Sequence, residues 1–260
     1  MTVRDPAVAG MFYPEASNVL RHDVQALLSA ATGAAGAPPR ALIVPHAGYV
    51  YSGATAAAAY HRLAPLRDTI RRVALFGPAH RVYVEGMAVP AADAFQTPLG
   101  EVPLDRPALA RLATMPGVAV SDLAHRDEHS LEVHLPFLQS VLSEFSLVPV
   151  VVGRCSREQV AAAMEAVWND PATLLVVSSD LSHYHSYDEA RAIDRATCER
   201  ICDRSVTLRV EEACGGAVIN GLFSTELGRT LDIELIDLRN SGDTAGDKDR
   251  VVGYGAFALH

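Results

Sequence analysis

The chain has 260 residues, of which 49% are apolar and 20% charged, and its formal net charge is −9 with no cluster of Lys or Arg to offset it. That composition is globular, large enough for a substantial core, and excludes a disordered chain. The acidic balance argues against a nucleic-acid surface and against an anionic membrane surface, since both need clustered positive charge, and leaves a small-molecule or protein partner.

The opening residues, Met1-Thr2-Val3-Arg4-Asp5-Pro6, lack the apolar run behind a basic start that marks a signal peptide. An Ala-, Gly- and Pro-rich stretch at 30–39 reads as the connection between an N-terminal arm with its helix and the body of one domain spanning 1–260. Apolar strand runs and helical patterns then alternate. The run 41–45 is a strand, 54–63 an Ala-rich helix, and 73–77 the next strand. Leu131, Leu135, Leu138 and Leu142 give 131–145 helical spacing, followed by a strand at 147–152. A helix at 157–168, a strand at 173–177, a helix at 187–203 and another at 218–227 come next. Runs at 233–238 and 251–259 close the chain as a strand pair that an antiparallel arrangement would suit. Strands apolar on both faces, alternating with helices, indicate an α/β fold with a mainly parallel central sheet flanked by helices. The longest apolar stretches, around 148–152 and 174–177, are strand-sized and too short to span a bilayer. Cys155, Cys198, Cys202 and Cys214 are scattered and read as reduced thiols, which with the missing signal places the protein in the cytoplasm.

Function is read from position. In open α/β sheets ligands sit beyond the carboxyl ends of the strands. Here three strand runs end in polar clusters: His46-Ala47-Gly48-Tyr49 after the first, Gly77-Pro78-Ala79-His80 after the second, and Ser178-Ser179-Asp180-Leu181-Ser182-His183 after the third of these. Neutral imidazole is a common ligand for zinc, copper and iron, so His46, His80 and His183 are the candidate metal ligands. Asp180 is placed to orient a ligand or move a proton.

A second cluster, Asp127-Glu128-His129-Ser130-Leu131-Glu132-Val133-His134, opens the predicted helix at 131–145. His129 and His134 are five apart, which excludes the shared helical face of a zinc-protease pair. Ser130 is a candidate cap, the two glutamates suit the helix dipole, and His129 or Glu132 is a candidate acid/base facing the same cleft. Cys198 and Cys202 share a helical face and read as buried thiols, a metal pair being the alternative. Cys214 lies at a helix start, where it is either a small buried residue or the best candidate for a reactive thiol. The loop from Asn240 to Asp247 reads as a hairpin connection able to line the site.

Taken together, Ala9-Gly10-Met11-Phe12-Tyr13-Pro14, Pro45-His46-Ala47-Gly48-Tyr49-Val50-Tyr51-Ser52-Gly53, Gly77-Pro78-Ala79-His80, Thr97-Pro98-Leu99-Gly100, Glu128-His129-Ser130-Leu131-Glu132-Val133-His134-Leu135-Pro136 and Ser178-Ser179-Asp180-Leu181-Ser182-His183 resemble the Memo family over essentially the whole chain. The resemblance implies a fold similar to the class III extradiol dioxygenases, which hold iron with two histidines and a glutamate. No carboxylate of this chain is matched to that glutamate. It further implies a cleft containing His46, His80 and His183, with Asp180 nearby, and one divalent or redox-active ion, iron or copper rather than zinc. Radical-SAM and AMMECR1-like proteins are the partners it implies.

Three functions follow. The first is a metal-dependent redox enzyme, dioxygenase-like, with Asp180 and His129 tuning ligands or moving protons. The second is a non-catalytic scaffold binding a peptide or small molecule in the cleft, with Tyr13, Tyr49 and Tyr51 at its mouth. The third is a metal-assisted hydrolase.

Overall fold

The computed structural model describes residues 2–31 and 37–260; half of the expected connector, residues 32–36, lies outside them. The N-terminal arm contributes a short strand, β1 (Val3–Arg4), and a helix, α1 (Ser17–Ala30), that buries Leu20 and Val24. Strand β2 (Ala41–Val44) leads into α2 (Tyr49–His61), which starts earlier than its Ala-rich segment because Tyr49 packs on Phe137 at a centroid distance of 4.9 Å. Packing there overrides the weak helix propensity of aromatic residues. Strand β3 (Arg72–Pro78) follows.

The next stretch holds elements that no periodicity announces: β4 (Met87–Val89), β5 (Ala94–Thr97), β6 (Gly100–Pro103), α3 (Arg106–Leu112), β7 (Val118–Val120) and α4 (Asp122–Arg126). Strands of three or four residues are too short to establish a repeat. The helix expected over 131–145 is divided into α5 (His129–Glu132) and α6 (Leu135–Val141). Pro136 explains the break, since it has no N–H to donate to the carbonyl of Glu132 and its ring would collide there. The remainder runs β8 (Ser146–Val152), α7 (Arg157–Val167), β9 (Thr173–Ser178), β10 (His183–His185), α8 (Tyr187–Cys202), α9 (Gly216–Leu222), β11 (Ile233–Asn240) and β12 (Val251–Leu259).

The main sheet has the order β10-β12-β2-β9-β3-β8-β4-β7, with β11 also paired to β12. Its centre, β2-β9-β3-β8, is parallel, and the closing strands β11 and β12 are antiparallel to one another, as is β12 to β2. Every residue of β2 and β9 is buried. This is why their sequences read as unbroken apolar runs instead of alternating ones. Strands β1, β5 and β6 form a small separate sheet. The result is an α/β sheet flanked by helices, and among the described residues no helix is long and apolar enough to cross a membrane.

The register places the site. Val44 stands opposite Ser178, and Phe76 opposite Val177, so the carboxyl ends of β2, β9 and β3 finish side by side. The segments that follow must leave the sheet at one place.

Candidate metal centre

His46 follows β2, Asp180 follows β9 and His80 follows β3, and the adjacency of those strands brings them together. The backbone N–H of His46 donates to Oδ1 of Asp180 at 2.8 Å. A third imidazole arrives from α5. The hydroxyl of Ser130 donates to the carbonyl of Pro78 at 2.9 Å, and the hydroxyl of Ser178 donates to the carbonyl of Ser130 at 2.6 Å, fastening α5 to the ends of β3 and β9. Gly77 makes the approach possible: a Cβ there would lie 2.8 Å from Cδ2 of Leu131 and 2.9 Å from Oγ of Ser130. With α5 so placed, its first residue, His129, sits against the other two rings. The centroid separations are 5.0 Å for His46–His80, 5.4 Å for His46–His129 and 4.7 Å for His80–His129. One potential ligand nitrogen from each ring lies within 4.8 Å of the other two. The set can hold a metal ion.

The surrounding bonds decide which nitrogens are free. Nδ1 of His46 is 2.6 Å from Oγ of Ser178. Because that hydroxyl gives its single proton to the carbonyl of Ser130, it must accept from His46, so the ring carries its proton on Nδ1 and its lone pair on Nε2. Glu128 does the same for His80: its carboxylate accepts the His80 backbone N–H at 2.6 Å and lies 3.0 Å from Nδ1. Hydrogen-bond acceptors behind the rings, fixing tautomer and orientation, are what a metal-binding histidine requires. Nδ1 of His129 is buried without a hydrogen-bond partner among the described residues. Three nitrogen donors, two with their lone pairs directed by outer partners, fit a divalent cation of the iron–copper–zinc group.

Burial also sets the charge state. It holds His46 well below the usual imidazole range, reinforced by the neighbouring imidazoles of His80, His129, His134 and His183. His129 is brought down to about 4, again chiefly by burial, so these two rings are neutral and able to ligate. Burial opposes the ionisation of Glu128, but the bonds it accepts from His80 outweigh this and hold it at about 2. Asp180 is the opposite case: burial raises it to about 7 despite the N–H it accepts from His46.

The sequence reading placed the third ligand at His183, and the structure brings His129 to the other two instead. Four residues separate the end of β9 from β10, and His183, at the start of β10, pairs with Val252 of β12. That draws it to the β12 side of His46, whereas α5 reaches the site from β3. His183 and Asp180 both line a neighbouring cleft, and burial lowers the His183 imidazole. Glu132, a candidate acid/base, is committed elsewhere: it accepts from Arg4, from the backbone of Ala7 and Val8, and from the Tyr13 hydroxyl. Of the three tyrosines expected at the cleft mouth, Tyr13 and Tyr49 are buried and Tyr51 is exposed. Glu128, not Ser130, caps α5 through the N–H of Ser130.

Sequence reasoning did not place Cys214 at this centre. It precedes α9, and its Sγ is 3.4 Å from Nε2 of His46. Only the fold brings these residues, 168 apart, into contact. No spacing rule could have found the pair.

The cleft beside the centre has a volume of about 470 Å³ and is lined by residues including Met11, Val50, Tyr51, His129, Asp180 and Tyr184. Met11 is 71% exposed, Val50 68%, Tyr184 64% and Tyr51 39%, so a mouth leading to buried polar groups is rimmed by large apolar side chains. Tyr184 has a positive φ of 65°, a strained conformation for an aromatic residue, and the Arg250 guanidinium stacks 5.0 Å from its ring centroid. Ser241, Gly246 and Asp247 show that the loop from Asn240 to Asp247 joins the lining.

Comparison with known proteins agrees with the architecture. A family model described as Memo-like protein matches residues 4–258. A MEMO1 family protein of Aquifex aeolicus is 36% identical across 98% of this chain and 98% of its own length. Another, from Methanopyrus kandleri, is 34% identical across 98% of each, and one from Methanosarcina barkeri is 36% identical across 99% of this chain and 100% of its own. Among solved structures, an uncharacterised protein of Escherichia coli K12 superposes with a TM-score of 0.52 at 13% identity, over 83% of this chain and 98% of its own, a likeness of fold alone. With near-complete coverage at this level of identity, the chain belongs to the Memo family.

Proposed function

We propose that this chain is a metal-dependent enzyme of the redox kind, in which His46, His80 and His129 hold one iron or copper ion at the base of the cleft. The observation that carries the reading is the convergence of three imidazoles, with Ser178 and Glu128 engaging Nδ1 of two of them and so freeing their Nε2 lone pairs. Such an ion, when bound, supplies Lewis acidity and, for iron or copper, electron-transfer capacity.

The chain's own residues supply binding and proton handling. The exposed rim of Met11, Val50, Tyr51 and Tyr184 suits a molecule with an apolar or aromatic part, since an apolar patch around a polar pocket marks a ligand site. Asp180, raised to about 7, is poised to take or give a proton near neutral pH. His183 and Arg250 provide polar contacts along the wall. His129 has two places in this reading, as a ligand and as part of the cleft lining.

The test is anaerobic reconstitution of protein purified without a histidine tag, followed by metal analysis. The expected content is about one iron or copper ion per chain, abolished in the double variant His46→Ala/His80→Ala. His129→Ala lowers it and His183→Ala retains it. Unchanged binding in the double variant overturns the assignment. Turnover supported by zinc but not by iron or copper selects a hydrolase instead, and a ligand retained after chelation selects a binding scaffold. Radical-SAM and AMMECR1-like partners belong to the same proposal, and co-purification tests them.

A further inference from the structure

We infer that a second cavity, between the N-terminal arm and α4, is a binding site for an organic ammonium, a protonated amine carrying an apolar body. The cavity has a volume of about 470 Å³ and shares no lining residue with the cleft beside the metal centre. The arm supplies residues 2–7, the segment after β4 supplies Pro90 and Ala92, and α4 with Asp127 supplies the rest.

The first pointer is an orphaned acceptor. His125 lines this cavity and is buried. Its Nε2 lies 3.0 Å from the carbonyl oxygen of Ala88, which can only accept, so the ring carries its proton on Nε2 and its lone pair on Nδ1. Burial brings the ring to about 4, so it is a neutral acceptor near pH 7. Nδ1 is buried with no hydrogen-bond partner among the described residues. Buried polar atoms are nearly always paired, and one left unpaired in a cavity wall calls for a donor from outside the chain.

The charge balance points the same way. Asp5 is exposed and forms no hydrogen bond or ion pair among the described residues. Asp122 accepts the backbone N–H groups of Ala91 and Ala92 on Oδ1, at 2.8 and 3.3 Å. The two arginines of the lining are committed elsewhere. Arg4 donates to the carbonyls of His125 and Glu128 and pairs with Glu132, while Nε and Nη2 of Arg126 both donate to Asp127. Asp5 and Asp122 are thus left as uncompensated negative charge. An ammonium brings the missing charge and the missing N–H in one group. Val3, Pro6, Pro90 and Leu123 give the same lining apolar area for a hydrocarbon body. An anion would meet like charge here, and a purely apolar molecule would leave Nδ1 of His125 unpaired.

The test uses the full chain and benzylamine, protonated at neutral pH, with benzyl alcohol as its uncharged counterpart of similar shape. Calorimetric titration at low salt should show one benzylamine per chain. Benzyl alcohol should bind at least roughly tenfold more weakly, the loss of one hydrogen bond between charged groups. The amide NMR signals that move on titration should be those of residues 2–7 and 122–127. Asp5→Lys changes an exposed side chain without partners, so the fold should stand while benzylamine weakens by roughly tenfold or more. His125→Phe keeps a ring, removes the lone pair and should weaken it similarly. Should His125→Phe fail to fold, Asp5→Lys and the benzyl alcohol comparison decide the matter. No saturable binding, equal affinity for amine and alcohol, unchanged affinity in Asp5→Lys, or NMR changes confined to the cleft at the metal centre overturns the inference. None of these outcomes depends on whether the histidines hold an ion.

Discussion

Arg4 and Glu132 form an ion pair at 2.5 Å with both side chains buried, tying the start of the chain to the end of α5. The same carboxylate accepts from Ala7, Val8 and Tyr13, so one side chain organises the whole N-terminal arm. The arm in turn bears on the site, since Phe12 lies 5.0 Å from His129 between ring centroids and its carbonyl accepts the N–H of Tyr49.

Glu132→Gln keeps the shape but leaves Arg4 as an uncompensated buried charge. Breaking a buried pair in this way costs about 3–5 kcal/mol. Chemical denaturation should show a loss of that size, with proteolysis in the arm appearing before global unfolding. A loss below roughly 1 kcal/mol, the range of an exposed pair, would remove the arm from the structural account.

Gly77→Ala tests whether α5 must lie against β3. The added methyl meets Leu131 and Ser130 at under 3 Å. Overpacking of this kind costs about 1–3 kcal/mol. The more telling readout is metal binding, which should fall much further than stability, because His129 is carried away with its helix. Full metal content in a stable Gly77→Ala protein would show that the position of α5 does not matter to the centre.

Ser178→Ala removes the acceptor that keeps the His46 proton on Nδ1. Outer partners of this type are worth about 10–100-fold in metal affinity. A drop in that range is expected by competition with a chelator, together with about 1–3 kcal/mol of stability for the Ser130 carbonyl left without its donor. Unchanged affinity would mean that the tautomer is set elsewhere.

Acid should weaken the fold partly through His134, whose ring is fully buried, shares a hydrogen bond with the Tyr60 hydroxyl at 2.8 Å and is brought by burial to about 3. Its folded-state value lies below the unfolded value of about 6.5, so between the two the unfolded chain binds a proton that the folded chain refuses. Its contribution is therefore intact above about pH 6.5 and is lost as pH falls towards 3. Asp180 acts in the opposite sense, its value being raised to about 7, but it is present in both proteins of the comparison. Wild type should thus lose stability relative to His134→Gln by up to about 1.4 kcal/mol for each pH unit across this window. Parallel pH–stability curves would show that His134 does not titrate across it.

The fold was legible in the sequence where elements were long and uniformly apolar. Strands β2, β3, β8 and β9 show themselves because each is buried on both faces, and β11 and β12 because they close the chain as a pair. The pieces between residues 87 and 126 did not show themselves, since β4, β5, β6 and β7 have at most four residues each. The site was legible in the same uneven way. His46, His80 and Asp180 announce themselves by following strands, a position that depends only on local sequence. His129 stands at the head of a four-residue helix whose direction is set by contacts with Pro78 and Ser178.

What the sequence determined by itself is the α/β class, the strand ends and the chemical types gathered there, because burial on both faces and polar strand termini are written in consecutive residues. Tertiary structure alone decided which groups share a centre. His129 rather than His183 joins His46 and His80 because α5 is seated on β3 while β10 is drawn to β12. Cys214 reaches His46 because Gly215 lets its loop press against the end of β9. Both outcomes depend on contacts between segments far apart in the chain, where a missing side chain or a single hydroxyl sets the position and no local pattern records it.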